Sequence, residues 1–94
     1  MAAAAGLLPD KRIQVWVGSG TSLRTTWKKT TATDSSWAPW SGFGLPSGHS
    51  LTDLAVAPLP DGRLQLFGDF GGTVYTCWKT NTSPDAPWTS WSVM

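Results

Sequence analysis

Trp27-Lys28 and Trp78-Lys79 place an indole beside an ammonium at two points of the chain. Arg24 stands three residues before the first pair and Tyr75 three before the second, while Trp37 and Trp88 follow ten residues later, after loops rich in Thr, Ser and Asp. An indole offers a flat apolar face that stacks on the C–H face of a pyranose, and the neighbouring polar side chains can bond its hydroxyls. Trp27, Trp78, Trp37 and Trp88 are therefore the candidate stacking platforms of a ligand site. Arg24, Tyr75, Lys28 and Lys79 are its candidate polar contacts. The same indoles also have a structural reading, because a Trp that recurs at one position of a repeat serves as core filling. On that reading at least one Trp of each Trp-x-x-Trp pair is structural.

Catalytic chemistry is poorly supplied. The stretch GDFGG, Gly68 to Gly72, contains three letters of a kinase motif, but no glycine-rich loop or catalytic-loop motif accompanies it. His49 is the sole histidine and sits in LPSGHSLTD with Ser47, Ser50 and Asp53 nearby, where it reads as a solvated loop residue rather than as part of a triad. One histidine and scattered carboxylates make no metal site, and no cofactor motif is present. A glycosidase needs two carboxylates facing across a cleft. Asp10, Asp61, Asp34 and Asp85 instead lie in loop sequences where turn formation accounts for them. The expectation is a binding protein rather than an enzyme, with a glycan-processing enzyme as an alternative.

Composition narrows the partners. The chain has 94 residues and a net charge of +1, without the basic excess of a phosphate-binding surface, so nucleic acid is not expected as a partner. Seven Trp against one Tyr and three Phe put most of the aromatic surface into indoles. Cys77 is the single cysteine, which excludes an intrachain disulfide and reads as a buried free thiol. MAAAAGLLPDKR has no basic residue ahead of its apolar stretch and does not read as a signal peptide. No run approaches the roughly 20 apolar residues of a membrane-spanning helix, so membrane insertion is not expected and the chain reads as soluble.

The elements that must position these residues emerge from self-comparison. An offset of 51 positions carries Leu8-Pro9-Asp10 onto Leu59-Pro60-Asp61, Arg12 onto Arg63 and Gln14 onto Gln65 without a gap. It also carries Trp27-Lys28 onto Trp78-Lys79, Asp34 onto Asp85, Trp37 onto Trp88, and Trp40-Ser41 onto Trp91-Ser92. Each unit contains four short apolar runs separated by turn signals. In the second they are TDLAVAPL, RLQLFG, TVYTCWK and WTSWSV; in the first, AAAAGLL, RIQVWV, SLRTTWK and WAPWSGF. No helical period appears, so the fold class is all-β.

Alternation puts Val74, Thr76 and Trp78 on one face with Tyr75 and Cys77 on the other, and Ile13, Val15 and Val17 opposite Trp16. Both faces are apolar, so each sheet must be sandwiched between two others. An odd spacing along a strand is expected to send Trp37 and Trp40, and likewise Trp88 and Trp91, to opposite faces. Four-stranded sheets of this size, repeated and packed face to face, are the blades of a β-propeller. The units divide as residues 1–43, an inter-blade loop 44–51, and 52–94. Two blades leave two apolar faces in water, so the chain is expected to complete a propeller as a cyclic homo-oligomer.

The second unit resembles the blade repeat of the seven-bladed β-propeller lectins of insect-pathogenic bacteria through Asp61-Gly62-Arg63-Leu64, Gly71-Gly72, Trp78, and Trp88 with Trp91. The likeness is weaker in the first unit, where Lys11 replaces the turn glycine and Trp16 the strand Phe. The resemblance implies sugar sites repeated around a ring, for fucose or related saccharides. Those lectins carry all their blades in one chain. In having two units this chain is similar to the two-repeat bacterial fucose lectins that trimerise into six-bladed propellers, which favours a trimer. A structural or protein-binding propeller subunit without a sugar site is the alternative.

Overall fold

The computed structural model describes residues 1–46, 48–83 and 86–94, and every regular element among them is a β-strand. β1 (Ala2–Leu7), β2 (Ile13–Ser19), β3 (Ser22–Trp27) and β4 (Ser41–Gly42) form one antiparallel sheet in chain order. β5 (Leu51–Pro58), β6 (Leu64–Phe70), β7 (Thr73–Trp78) and β8 (Ser92–Val93) form a second on the same plan. The all-β expectation and the two repeated four-stranded sheets are thus realised. No helix among the described residues is long and apolar enough to cross a membrane.

The β1–β2 and β5–β6 turns show how the repeat is written into local chemistry. Asp10 accepts the Arg12 amide at 3.2 Å, and Asp61 accepts that of Arg63 at 3.1 Å. The residue between them must turn through positive φ, 92° at Gly62 and 75° at Lys11. Glycine adopts that conformation freely, whereas an L side chain such as that of Lys11 is strained there.

Alternation follows the sequence reading. Gln14, Trp16 and Gly18 are buried on one face of β2, while Ile13, Val15 and Val17 on the other are only half-buried. On β6, Leu64, Leu66, Gly68 and Phe70 are buried. The first face of one sheet packs against the second face of the other, so residues that match at an offset of 51 have opposite surroundings. β1 lies against β5, and Gly6 lets them approach: a Cβ there would stand 3.1 Å from Val56 Cγ1 and 3.2 Å from Leu64 Cδ2. Gly20 O accepts the Leu51 amide at 2.7 Å and ties the sheets at one end.

Aromatic rings fill the outer part of this seam. Trp16 stands edge-on to Trp88 at 5.6 Å, Phe43 to Trp88 at 5.4 Å, and Trp91 to Phe70 at 5.4 Å. Trp91 Nε1 donates to Gly44 O at 2.6 Å, so its one polar atom is satisfied as it packs.

The expectation that each Trp-x-x-Trp pair splits between faces is overturned. Trp37 and Trp40 share one depression with Val15 and Thr26, and Trp88 and Trp91 share another with Phe43. Strand pairing explains the correction. Trp37 pairs with Lys28 and Ser41 with Thr25, so four steps on one strand face three on the other. The second sheet repeats this offset, with Trp88 on Lys79 and Ser92 on Thr76. One extra residue reverses the parity of a strand, and the odd spacing then returns both indoles to the same side.

Candidate functional site

A groove of about 690 Å³ opens along the seam between the sheets. The first sheet contributes Arg12, Gln14, Thr25 and Trp27; the second contributes Lys79 and Trp88. Leu8 and Phe43 give it an apolar floor.

Arg12, Gln14 and Thr25 are each held by a contact that the plan of the first sheet creates. Arg12 follows the first turn, and its Nε donates to Asp10 Oδ2 at 2.6 Å while its Nη1 donates to Lys28 O at 3.2 Å. The guanidinium is thereby fixed against the end of β3, and its Nη2 makes no bond among the described residues. Burial pushes the Asp10 carboxyl up, but the bonds and charge of Arg12 outweigh this and hold it below its usual value. Gln14 Nε2 donates to Thr25 Oγ1 at 2.9 Å, and that hydroxyl donates to Val15 O at 2.9 Å. The amide is therefore oriented and presents its carbonyl oxygen as an acceptor. Trp27 ends β3 half-buried beside these groups. Lys79 is buried at the same level on the facing sheet.

This arrangement can hold a small polyhydroxylated molecule: an indole for an apolar ring face, a fixed guanidinium as donor with the buried Lys79 beside it, and an amide oxygen as acceptor. No carboxylate among the described residues lines it. Asp53 accepts the Leu54 amide within β5, and Asp69 accepts the Gly72 amide at the β6–β7 turn, so both bond the backbone locally. Asp85, the counterpart of Asp34, lies outside the described residues, as does Ser47. Among the described residues, no group of three or more His, Cys, Asp or Glu is placed to hold a metal ion.

Of the residues singled out from sequence, the groove unites Trp27, Lys79 and Trp88. It does not include the other five. Lys28 and Trp37 lie on the outer face of the first sheet, where Lys28 Nζ sits 5.9 Å from the Trp37 ring and donates to Ala32 O and Thr33 O. Arg24 lies beside Trp40 on that face. Trp78 occupies the outer face of the second sheet by strand alternation with Val74 and Thr76. Tyr75 is packed into the seam against Phe70, at 5.4 Å.

Tyr75 also corrects the reading of His49. That ring is half-buried rather than solvated, with its Nε2 3.1 Å from the Tyr75 hydroxyl. Cys77 is buried in the seam as a free thiol, and burial pushes its pKa up to about 12, which leaves it chemically quiet.

Arg12, Gln14 and Thr25 are groove residues that the choice of candidates from sequence missed. A signal existed, since Arg12 and Gln14 recur as Arg63 and Gln65 in the self-comparison. The second copy of the set is intact: Gln65 Nε2 donates to Thr76 Oγ1 at 2.8 Å, and Arg63 binds Asp61 at 2.7 Å and Lys79 O at 3.1 Å. Compared with known proteins, the chain matches no protein-family model and no curated sequence.

Proposed function

We propose that the protein is a carbohydrate-binding lectin whose site is the groove between its two sheets. The observation that carries this reading is that Trp27, Arg12, Gln14 and Lys79 line one groove, which sets a stacking face beside a fixed guanidinium donor and an amide acceptor. Trp88 has a double role, as it walls the groove while its ring packs on Trp16 and Phe43. The lectin resemblance of the repeat favours fucose or a related saccharide as ligand. Arg63, Gln65, Thr76 and Trp78 repeat the first half of the groove on the outer face of the second sheet. A propeller built from several copies, three for six blades, would multiply the sites and convert weak single contacts into avidity on a glycan-coated surface.

A structural or protein-binding role is the second reading, favoured by the aromatic seam in which Trp16, Trp88 and Trp91 are packed. A glycan array followed by calorimetry with the best sugar separates the two. The lectin reading expects binding that Trp27→Ala and Arg12→Ala abolish or weaken while circular dichroism stays unchanged. Absence of binding to any glycan by wild-type protein favours the structural reading. Turnover of a chromogenic glycoside would instead revive the enzyme alternative.

A further inference from the structure

The seam between the two sheets pairs a specific set of side chains, and each member of that set has an apolar counterpart 51 positions away. On the first sheet the inner face presents Trp16, Leu23 and Phe43; on the second the facing surface presents Trp88 and Trp91. The counterparts of all five lie on the two outer faces. Leu23 is 3% exposed and its counterpart Val74 is 42%. Phe43 is half-buried, whereas its counterpart Met94 is 71% exposed. Trp88 and Trp91 are half-buried, whereas Trp37 and Trp40 are 43% and 51% exposed. Phe67, the counterpart of the fully buried Trp16, is half-buried. Lys28, half-buried, stands where Lys79 is buried.

Two outer faces that carry apolar counterparts of the two halves of one existing interface, Trp37 and Trp40 on one and Phe67, Val74 and Met94 on the other, match each other as the seam's halves do. We propose that the Trp37–Trp40 face of one copy receives the Phe67–Val74–Met94 face of another, in the arrangement that Trp88 and Trp91 adopt on Trp16, Leu23 and Phe43. The occupant is a second copy because this chain itself displays the matching surface, pair by pair at the same offset. The contact is head-to-tail: each copy uses a different face toward each neighbour. Such an interface leaves one half free in a dimer and is satisfied throughout only when a ring closes. This rests on the assembly half of the reading above and specifies its contacts; the sugar-binding half is independent of it.

The test uses Trp40→Asp and Val74→Asp, both at exposed positions, so that each chain keeps its own seam. Sedimentation equilibrium of the wild type at about 0.1 mM, a concentration that registers contacts of micromolar strength, is expected to show an assembly larger than one chain. Each variant alone is expected to be monomeric. An equimolar mixture is expected to give a one-to-one complex and nothing larger, because only one intact pair of faces remains. A monomeric wild type overturns the proposal, as do variants that still assemble or a mixture that forms no complex. Fucose titrations on the same samples separate the two readings: monomers that bind sugar sink the interface alone, and an assembly that binds none sinks the lectin alone.

Discussion

Leu23 and Val74 occupy the same point of the repeat, on the same strand and the same side of it, yet one is buried and the other largely exposed. Trp37 and Trp88 differ in the reverse sense. The two sheets share strand order, turn hydrogen bonds and the Gln–Thr pair across their central strands, and they differ in which face has found a neighbour. Burial in this molecule is therefore a property of the seam rather than of the sequence position, and the stabilising contribution of a side chain depends on which sheet faces it.

That contrast can be broken most sharply at its largest ring. Trp16→Ala is expected to lower stability by about 3–5 kcal/mol in urea denaturation, through lost burial and the cavity left between Trp88 and Phe43. Phe67→Ala at the matching position should have a markedly smaller effect in dissociated chains. A Phe67 effect approaching that of Trp16 in assembled protein would sharpen the comparison, since a second copy would then cover it.

For sugar affinity, dissociated chains carrying Trp40→Asp provide the background. There Trp27→Ala is expected to weaken binding about tenfold or more, roughly 1.4 kcal/mol, while Trp78→Ala leaves it unchanged because its groove lacks a second wall. Calorimetry on both variants checks this. Equal losses from the two would contradict the assignment of the site to the seam.

The turns offer a smaller test. Lys11→Gly relieves an L side chain from φ of 75°, and the expected gain is about 0.5–1 kcal/mol after the added freedom of the unfolded glycine is counted. Thermal melting should show it as a raised midpoint. Gly62→Lys should lower the midpoint by a similar amount.

Acid gives the smallest effect. Burial pushes Asp10 up, but Arg12 outweighs it and lowers the carboxyl, and the amide and guanidinium of Arg63 lower Asp61. A depressed folded pKa contributes stability that is present above the unfolded value of about 3.9 and is lost as pH falls through the folded one. The melting midpoint should therefore decline slightly below about pH 4, and the Asp10→Asn, Asp61→Asn double variant should flatten that decline. Both pairs are exposed, and screening by water keeps the change small.

Much of the fold was legible beforehand because strands write their geometry locally. The eight runs, the two turns with Asp and Arg, and the faces of β2 and β7 all follow from residue type and alternation. The Trp-x-x-Trp pairs were expected to split because the extra residue between the Lys28–Trp37 and Thr25–Ser41 pairs, and again between Lys79–Trp88 and Thr76–Ser92, leaves no mark in composition; it exists only in how these segments align with their partners. His49 was misread for a related reason, since nothing in its loop announces that Tyr75 lies within reach. Of the groove, Trp27, Trp88 and Lys79 were found because aromatic and charged residues at repeated positions draw attention. Gln14 and Thr25 were not, as they resemble ordinary strand residues until they are seen to orient one another.

The amino-acid sequence alone determined that one unit is written twice, that each unit makes four extended runs, and which residues alternate along them. Only the tertiary structure decided that Trp27 meets Lys79, that both indoles of a pair share a face, and that Trp88 is covered while Trp37 is not. The physical reason is range: alternation and turn conformation are set by neighbours along the chain, whereas a groove and a seam exist only where two sheets meet.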